Sequence, residues 1–453
     1  MKKKLLSALL CVAMAASMLT GCGGSKEATE GAETAPATES AGTETAKAET
    51  AETAPVSDEE AEIYMFISSP EYADAINELI EAYKEVAPNV TINYETTQND
   101  YPTMLKAKLN SGEVPDIFSS TSGKEIDVYK EWSFNMAGQP LEETIDPAVA
   151  EMMKSTEEGS GLYGIAIKGN FFGMVYNKEI FEASGVTQFP TTMTELEAAC
   201  EKISAAGYTP FSTGFAEWWV FKHVWQHYLD AAAANAGITP AELVTAFENG
   251  EAKVSDYPEL YDSFFTLIDL AVKYGDEKPL ETALANEEAA LANGEAAMIL
   301  GQGAWVEADL LAINPDIQIG FNGYPVSDNA AQCQVIAGSD QALRVAKDSE
   351  QLQATLDFVN WWYTSDYGKA WFVDVAGVIP PVISDAESEF EVINQGNALA
   401  ATNGTAALSI GYSTDSWHQT FGELMQAYIA GTADKDATCA AIEEQWQAIE
   451  GAN

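Results

Sequence analysis

Short apolar runs alternate with amphipathic stretches at the start of the apolar-rich part of the chain. A buried strand is predicted at residues 63–67, a helix with one apolar face over 71–86, and a second strand over 90–94. A helix over 101–111 and a third strand over 115–118 follow. This order of strands and helices is typical of an α/β domain with a largely parallel sheet.

Two loops that follow the first and third predicted strands are rich in hydroxyl groups. Ligands of parallel sheets bind beyond the carboxyl ends of the strands, so these loops are candidates for a binding site. Ordinary turn chemistry, for which Ser, Gly and Pro are also used, is the alternative. The candidate residues of the two loops are Ser68, Ser69, Tyr72, Ser119 and Ser120.

The first residues have the pattern of an export signal. Three lysines precede an apolar run over residues 5–19, which is shorter than the ~20 residues that span a bilayer. The run ends in Leu19-Thr20-Gly21-Cys22, which resembles the bacterial lipobox, where a thiol is lipidated and the chain is cut before it. We expect residues 1–21 to be a lipoprotein signal peptide and Cys22 to carry the lipid. The alternatives are an ordinary secretory signal and an anchor that is never removed.

A stretch of Ala, Thr, Glu, Gly, Ser and Pro without aromatic residues follows over 22–60. Such a composition cannot bury a core, and we predict a disordered acidic tether. About 390 residues remain after it, which is long for one core and favours two lobes. No second apolar run approaches membrane-spanning length.

The net charge of −48, from 70 acidic and 22 basic residues, restricts the partners. It argues against nucleic acid and against direct binding to anionic lipid, because both need a basic surface. It leaves a cationic ligand open, although solubility is a sufficient reason for the charge.

Cysteine and histidine offer little chemistry. Cys200, Cys333 and Cys439 are an odd, widely spaced set without a CxxC motif, so no disulfide framework or zinc site is expected. His223 and His227 are four residues apart, but no HExxH motif and no third ligand accompany them. We predict no metal and no cofactor.

Four parts of the chain together resemble the extracellular solute-binding proteins of family 1, the maltose-binding-protein-like group that serves ABC sugar importers. These parts are residues 115–118, residues 161–165 with 175–186, residues 291–298 with 303–305, and residues 351–363 with 377–380. The resemblance spans nearly the whole domain in the right order, and the block around Tyr176-Asn177-Lys178 is its most specific part.

The resemblance implies an α/β, two-lobed, periplasmic-binding-protein-like fold of type II with a hinge. Lobe one would comprise residues 61–168 and 335–378, and lobe two residues 169–334 and 379–453. The implied function is capture of a carbohydrate, with an oligosaccharide favoured, by closure of the lobes. The implied partners are ABC permease subunits, and the protein would be an extracytoplasmic monomer without enzymatic activity, held at the membrane only by its lipid.

Sugars present hydroxyl groups and flat C–H faces, so their sites need aromatic rings and planar polar side chains. Trp305 is the strongest candidate because it follows a glycine-rich loop and because the family has a Trp at this point of the cleft. Trp218 is chosen over Trp219 because only one of two adjacent helical residues can face the core. The candidates outside the two hydroxyl-rich loops are Asn170, Phe171, Phe172, Glu217, Trp218, Gln302, Trp305, Asp415 and Trp417. Core packing is the alternative for Trp305, and helix capping is the alternative for Asp415.

Two other functions stay open at this point. A polyamine or other cation-binding transport protein would suit the acidity of the chain, with Glu217 and Asp415 as the carboxylates expected in the cleft. A surface carbohydrate-active enzyme is the second, because carboxylates are abundant, although nothing singles out a catalytic pair.

Overall fold

The computed structural model describes residues 60–155, 161–384 and 388–449. The predicted signal peptide, the predicted lipidation site Cys22 and the predicted tether up to residue 59 lie outside the described residues. The elements below belong to the described part alone.

Eleven strands and sixteen α-helices are present in the described ranges. The strands are β1 (Ala61–Ile67), β2 (Val90–Thr96), β3 (Ile117–Thr121), β4 (Ile165–Ala166), β5 (Asn170–Asn177), β6 (Thr209–Ser212), β7 (Ala296–Gly303), β8 (Ile319–Asn322), β9 (Val335–Gly338), β10 (Gln341–Val345) and β11 (Thr405–Ala406). The helices are α1 (Ala73–Val86), α2 (Tyr101–Ser111), α3 (Lys124–Val128), α4 (Pro147–Glu151), α5 (Lys178–Ala183), α6 (Met193–Ala205), α7 (Trp219–Ala236), α8 (Pro240–Glu248), α9 (Phe265–Tyr274), α10 (Leu284–Ala292), α11 (Val306–Ile313), α12 (Leu352–Thr364), α13 (Asp366–Asp374), α14 (Glu391–Asn403), α15 (Asp415–Ile429) and α16 (Lys435–Gln447). None of these helices is long and apolar enough to cross a bilayer.

The strands form two separate sheets. The first has the order β2-β1-β3-β10-β4, in which β1 runs parallel to β2 and β3, and β10 runs antiparallel to β3 and β4. The second has the order β11-β9-β5-β7-β6, and β8 pairs with β5 as well. The α/β class is confirmed, and the β2-β1-β3 part is the parallel sheet predicted from the opening pattern.

Each sheet has a hydrophobic core of its own. Ile76, Leu79, Ile80 and Tyr83 repeat at helical spacing along α1 and are buried against the first sheet. Helices α12 and α13 belong to the same core, whereas α6 to α9, α15 and α16 pack around the second sheet. We call the first sheet with α1–α4, α12 and α13 the first lobe, and the second sheet with α5–α11 and α14–α16 the second lobe.

The chain passes between the lobes at three places. It leaves β4 for β5 through residues 167–169, and it returns from β9 to β10 through Ser339 and Asp340. A third passage lies beside the first, where the Gly169 amide donates to the carbonyl of Ile379 at 2.8 Å. The sequence placed residues 335–338 in lobe one, but they pair with β5 and so belong to the second sheet. An apolar strand does not reveal from sequence which sheet it joins, and that is why this boundary differs by four residues.

Candidate functional site

A cavity of about 320 Å³ lies between the two lobes. Its wall combines loop residues at the strand ends of the first lobe with the beginnings of α7, α11 and α15 of the second lobe. Six of the residues proposed from the sequence line it: Ser68, Asn170, Glu217, Trp218, Trp305 and Asp415. The structure therefore brings together residues as distant in the chain as Ser68 and Asp415.

The other candidates from the first lobe lie behind this wall. The Ser119 hydroxyl accepts from the Ser68 amide at 3.0 Å, and the Ser120 hydroxyl accepts from Arg344 Nε at 2.8 Å. Ser69 donates to Gln341 at 2.8 Å, and Tyr72 is packed into the core of the first lobe. These hydroxyl-rich loops position the wall, but only Ser68 among the five predicted loop residues lines the cavity.

The remaining candidates from the second lobe are interior residues. Phe171 and Phe172 pack in the core on either face of the sheet, and the buried Gln302 donates to Glu287 at 2.8 Å. Trp417 lies against Trp446, with ring centroids 4.0 Å apart. These four side chains are used for packing or for internal hydrogen bonds, so they do not line the cavity.

Two adjacent tryptophans line the cavity, although we expected only one. Trp218 precedes α7 and Trp219 begins it, and both are buried. Helix α7 is covered on nearly every face, because it packs against β7, α15 and the turn of π-helix at residues 259–264. The rule that one of two neighbours faces away from the core fails for a helix that is enclosed in this way.

The Trp305 ring packs tightly against other residues of the second lobe. Its ring meets Phe172 and His223 edge-on, with centroids 5.5 Å away in both cases. A Cβ at Gly303 would lie 2.3 Å from the Trp305 ring, and Gly301 has φ of +72° against Val220. The glycines of this loop are therefore required by contacts within the protein, and they let the Trp305 ring lie close to the backbone.

One ion pair belongs to the cavity wall. Lys222 Nζ lies 3.2 Å from Asp415 Oδ1 and 5.3 Å from the centroid of the Trp218 ring. Burial works to raise the pKa of Asp415, but Lys222 and His418 together hold it below its ordinary value. Asp415 is not the N-cap of α15, because that position belongs to Thr414, whose hydroxyl accepts from the Trp417 amide.

A second lysine of the wall is also paired with a carboxylate. Lys168 Nζ is 3.2 Å from Glu71 Oε1 and 4.6 Å from the centroid of the Tyr72 ring. Gln341 next to it accepts from Lys168 at 3.4 Å and donates to the carbonyl of Ser68. Lys168 was not among the residues predicted for the site, and no local pattern marks Glu71 or Gln341 as site residues.

The lobes touch at three consecutive residues of the first lobe. A Cβ at Gly123 would lie 2.2 Å from a backbone oxygen of the second lobe. Lys124 Nζ is 2.8 Å from Glu248, and the Glu125 carboxylate accepts from the Asp415 amide at 2.9 Å. We call residues 123–125 the clasp. Burial, and then the charge of Asp415, raise the pKa of Glu125.

The two histidines of α7 are engaged by backbone carbonyls. His223 Nδ1 lies 2.7 Å from the oxygen of Gly301, and His227 Nε2 lies 3.1 Å from that of Gln332. Burial lowers the pKa of both, that of His227 to about 4. A cluster of three or more potential metal ligands does not occur in the described ranges.

Several polar atoms of the cavity-lining side chains have no hydrogen-bond partner within the described part of the chain. Trp218 Nε1 and Trp219 Nε1 are donors, and Asp340 Oδ1 is an acceptor. Buried polar groups are normally paired, because leaving one unpaired costs about 1–3 kcal/mol. A ligand that both donates and accepts hydrogen bonds would satisfy these atoms.

Comparison with known proteins identifies relatives that share this architecture. The family of bacterial extracellular solute-binding proteins matches residues 68–369. A multiple sugar-binding protein of Streptococcus mutans is 22% identical over 308 residues, which are 67% of this chain and 71% of that protein. A sugar transporter of Bacillus licheniformis in complex with stachyose has a TM-score of 0.72 at 19% identity, over 85% of this chain and 99% of that one. RafE in complex with raffinose has a TM-score of 0.71 at 18% identity, over the same shares.

These similarities confirm the two-lobed fold and the resemblance drawn from the sequence. The family is one of extracytoplasmic binding proteins, in agreement with the predicted location outside the cytoplasm and with a binding rather than a catalytic role. Since the family match covers well over half of the chain, the protein belongs to the bacterial extracellular solute-binding protein family.

Proposed function

We propose that this protein binds a carbohydrate in the cavity between its lobes and delivers it to an ABC importer. The observation that carries the proposal is the mixture of unpaired donors and acceptors on the wall, which includes Trp218 Nε1 and Asp340 Oδ1. A sugar hydroxyl both donates and accepts, so it pairs with either kind of atom. A linear polyamine only donates in its charged form and would leave the indole N–H groups unpaired.

The aromatic rings of the wall support the same proposal. Trp218, Trp219 and Trp305 come from two separated segments of the second lobe and line one cavity. Aromatic faces bind the C–H faces of a sugar ring and lose little conformational entropy in doing so. At about 320 Å³ the cavity is at the lower end of ligand sites, which favours enclosure of a short sugar or of one end of an oligosaccharide.

Contacts across the cleft support capture by closure. Asn99 of the first lobe donates to Glu217 of the second at 2.7 Å, and both residues line the cavity. Together with the clasp, this hydrogen bond holds the lobes against each other around the site. We propose that the ligand favours this arrangement because it supplies hydrogen-bond partners from both sides at once.

Isothermal titration calorimetry against a panel of mono-, di- and trisaccharides tests the proposal, with spermidine as a control. We expect at least one sugar to bind at micromolar affinity or better and to be recovered intact. Trp305→Ala should weaken this binding about tenfold or more, because it removes the ring face. The matched variant Trp361→Ala, which is partly buried against the core of the first lobe, should bind like the wild type. Hydrolysis of the sugar, or binding of spermidine alone, would contradict the proposal.

We further propose that a lipid on Cys22 holds the protein at the membrane beside its permease. A tethered receptor stays at a high effective concentration near its partner without any additional contact. Fractionation of cells that express Cys22→Ala should find the protein released, whereas Cys200→Ala, a buried cysteine of α6, should stay with the membranes. Full membrane retention of Cys22→Ala would contradict the anchor.

A further inference from the structure

The carboxylates of the cavity are unevenly balanced by cations. Lys168 pairs with Glu71 and Lys222 pairs with Asp415, so both cavity lysines are neutralised within the wall. Asp309 and Asp340 also belong to the wall, and neither has a basic partner among the described residues. Glu217 also lines the wall without a basic partner, but it accepts a hydrogen bond from the Asn99 amide at 2.7 Å. The two aspartates are therefore the wall carboxylates with the fewest partners among the described residues.

Asp340 is the deeper of the two. It lies in the segment that joins β9 to β10, is 7% exposed, and has one carboxylate oxygen without a donor in the described chain. The neighbouring Lys168 is directed to Glu71 and Gln341 instead. A buried carboxylate is costly unless a cation or several donors pair with it, so Asp340 offers a favourable site to a strong donor from outside the protein.

Asp309 faces the same end of the cavity from the second lobe. It follows Trp305 by four residues, which places an aromatic ring and a carboxylate one turn apart on the same side of α11. Burial, and then the charges of Asp309 and Glu71, raise the pKa of Glu288 behind the wall to about 8. Negative charges from both lobes thus oppose each other when the lobes are together.

We propose that the sugar carries a free primary ammonium group, which is held between Asp340 and Asp309 beside the ring of Trp305. This inference rests on the proposed carbohydrate function and specifies its ligand class. An ammonium donates three hydrogen bonds to carboxylates and is attracted to an aromatic face, and its charge offsets the repulsion between the lobes. The hydroxyl groups of the same sugar accept hydrogen bonds from the indole N–H groups, whereas a charged polyamine cannot accept them.

The proposal predicts an order of affinity among sugars of nearly the same shape. An amino sugar should bind best, its N-acetylated or hydroxyl counterpart more weakly, and a uronic acid least, because a carboxylate would face Asp340 and Asp309. N-Acetylation is the sharpest comparison, since it removes the charge and leaves the ring unchanged.

Calorimetry at pH 6.5 and low salt with the β-1,4-linked dimers of glucosamine, N-acetylglucosamine and glucose tests this order. We expect the glucosamine dimer to bind at least tenfold more tightly than the other two. Asp340→Asn should reduce that preference to less than threefold, whatever its effect on the affinity for the glucose dimer. Asp309→Asn, at the exposed rim, serves as a second variant in case the buried substitution prevents folding, and the exposed Asp316→Asn, outside the cavity, is the control.

Equal or tighter binding of the glucose or N-acetylglucosamine dimer would overturn the inference and leave the carbohydrate function intact. Retention of the full preference in both Asp340→Asn and Asp309→Asn would overturn it as well. Failure of every sugar to bind, in this set and in the wider panel, would instead contradict the proposed function.

Discussion

Substitution of Glu288 by Gln should make the protein more stable at alkaline pH and should flatten its dependence of stability on pH. Glu288 lies on α10, is 5% exposed, and has one carboxylate oxygen without a partner in the described chain. Burial is the largest cause of its raised pKa, and the charges of Asp309 and Glu71 add to it. Gln has nearly the same shape but cannot ionise, so it removes the cost of a buried charge.

The size of the effect follows from the two pKa values. The pKa of Glu288 rises from an ordinary 4.5 to about 8 in the folded protein, so the folded state holds a proton that the unfolded state has lost in this range. The contribution of Glu288 to the free energy of unfolding is fully present below pH 4.5. It falls by about 1.4 kcal/mol for each pH unit as the pH rises to 8. Between pH 5 and 8 the wild type should lose roughly 3 kcal/mol relative to Glu288→Gln.

Urea unfolding of both proteins at half-unit steps from pH 5 to 8.5 measures this difference. All other titrating groups are shared, so their contributions cancel in the comparison. Glu295→Gln, an exposed substitution close in sequence, should run parallel to the wild type. If the curve of Glu288→Gln also runs parallel to the wild type, Glu288 ionises normally and the account of opposing charges at this end of the cavity is wrong.

Two other substitutions test separate parts of the structure. Gly123→Ala places a methyl group against the second lobe and should weaken sugar binding tenfold or more in calorimetry, whereas Gly112→Ala, also at positive φ but with open space around it, should bind normally. Normal affinity of Gly123→Ala would refute the role of the clasp in closure. Arg344→Lys should lower the free energy of unfolding by about 2–4 kcal/mol in urea titrations, because a compact ammonium cannot reach the hydroxyl and carbonyl groups that the buried guanidinium contacts. A loss below 1 kcal/mol would contradict this.

Much of the first lobe could be predicted from its sequence because its opening elements are local. The apolar spacing in α1 and the runs of β1 and β3 follow the periods of helix and buried strand, and the structure has each element within a few residues of its prediction. The second lobe is harder to predict, because α7 is enclosed on nearly all sides and its pattern no longer marks one face. Strand pairing between segments far apart in the chain could not be predicted from the sequence either. The strand β9, which joins the second sheet, is an example.

The cavity was predictable only where a residue type suggested its own role. Trp305 was chosen for the glycine-rich loop before it and for the Trp that the resembling family has at this point. Trp218 was chosen because only one of two adjacent helical residues was expected to face the core. Both line the cavity. Asp340 and Gln341 were missed because neither stands in a recognisable motif. They reach the wall through the antiparallel pairing of β10 with β3, a contact between segments more than two hundred residues apart.

The segments that join the lobes also form part of the cavity wall, and this has a consequence for how binding is linked to closure. Lys168 and Asn170 line the cavity, and Gly169 between them lies so close to Ile379 that a Cβ would approach its side chain to 2.9 Å. Asp340 lies in the neighbouring connection. A ligand that contacts Lys168 and Asp340 therefore touches the connecting segments themselves as well as the two lobes. Such contacts are made with the backbone that must bend when the lobes close. A small ligand at this position can therefore favour the closed arrangement of two large lobes.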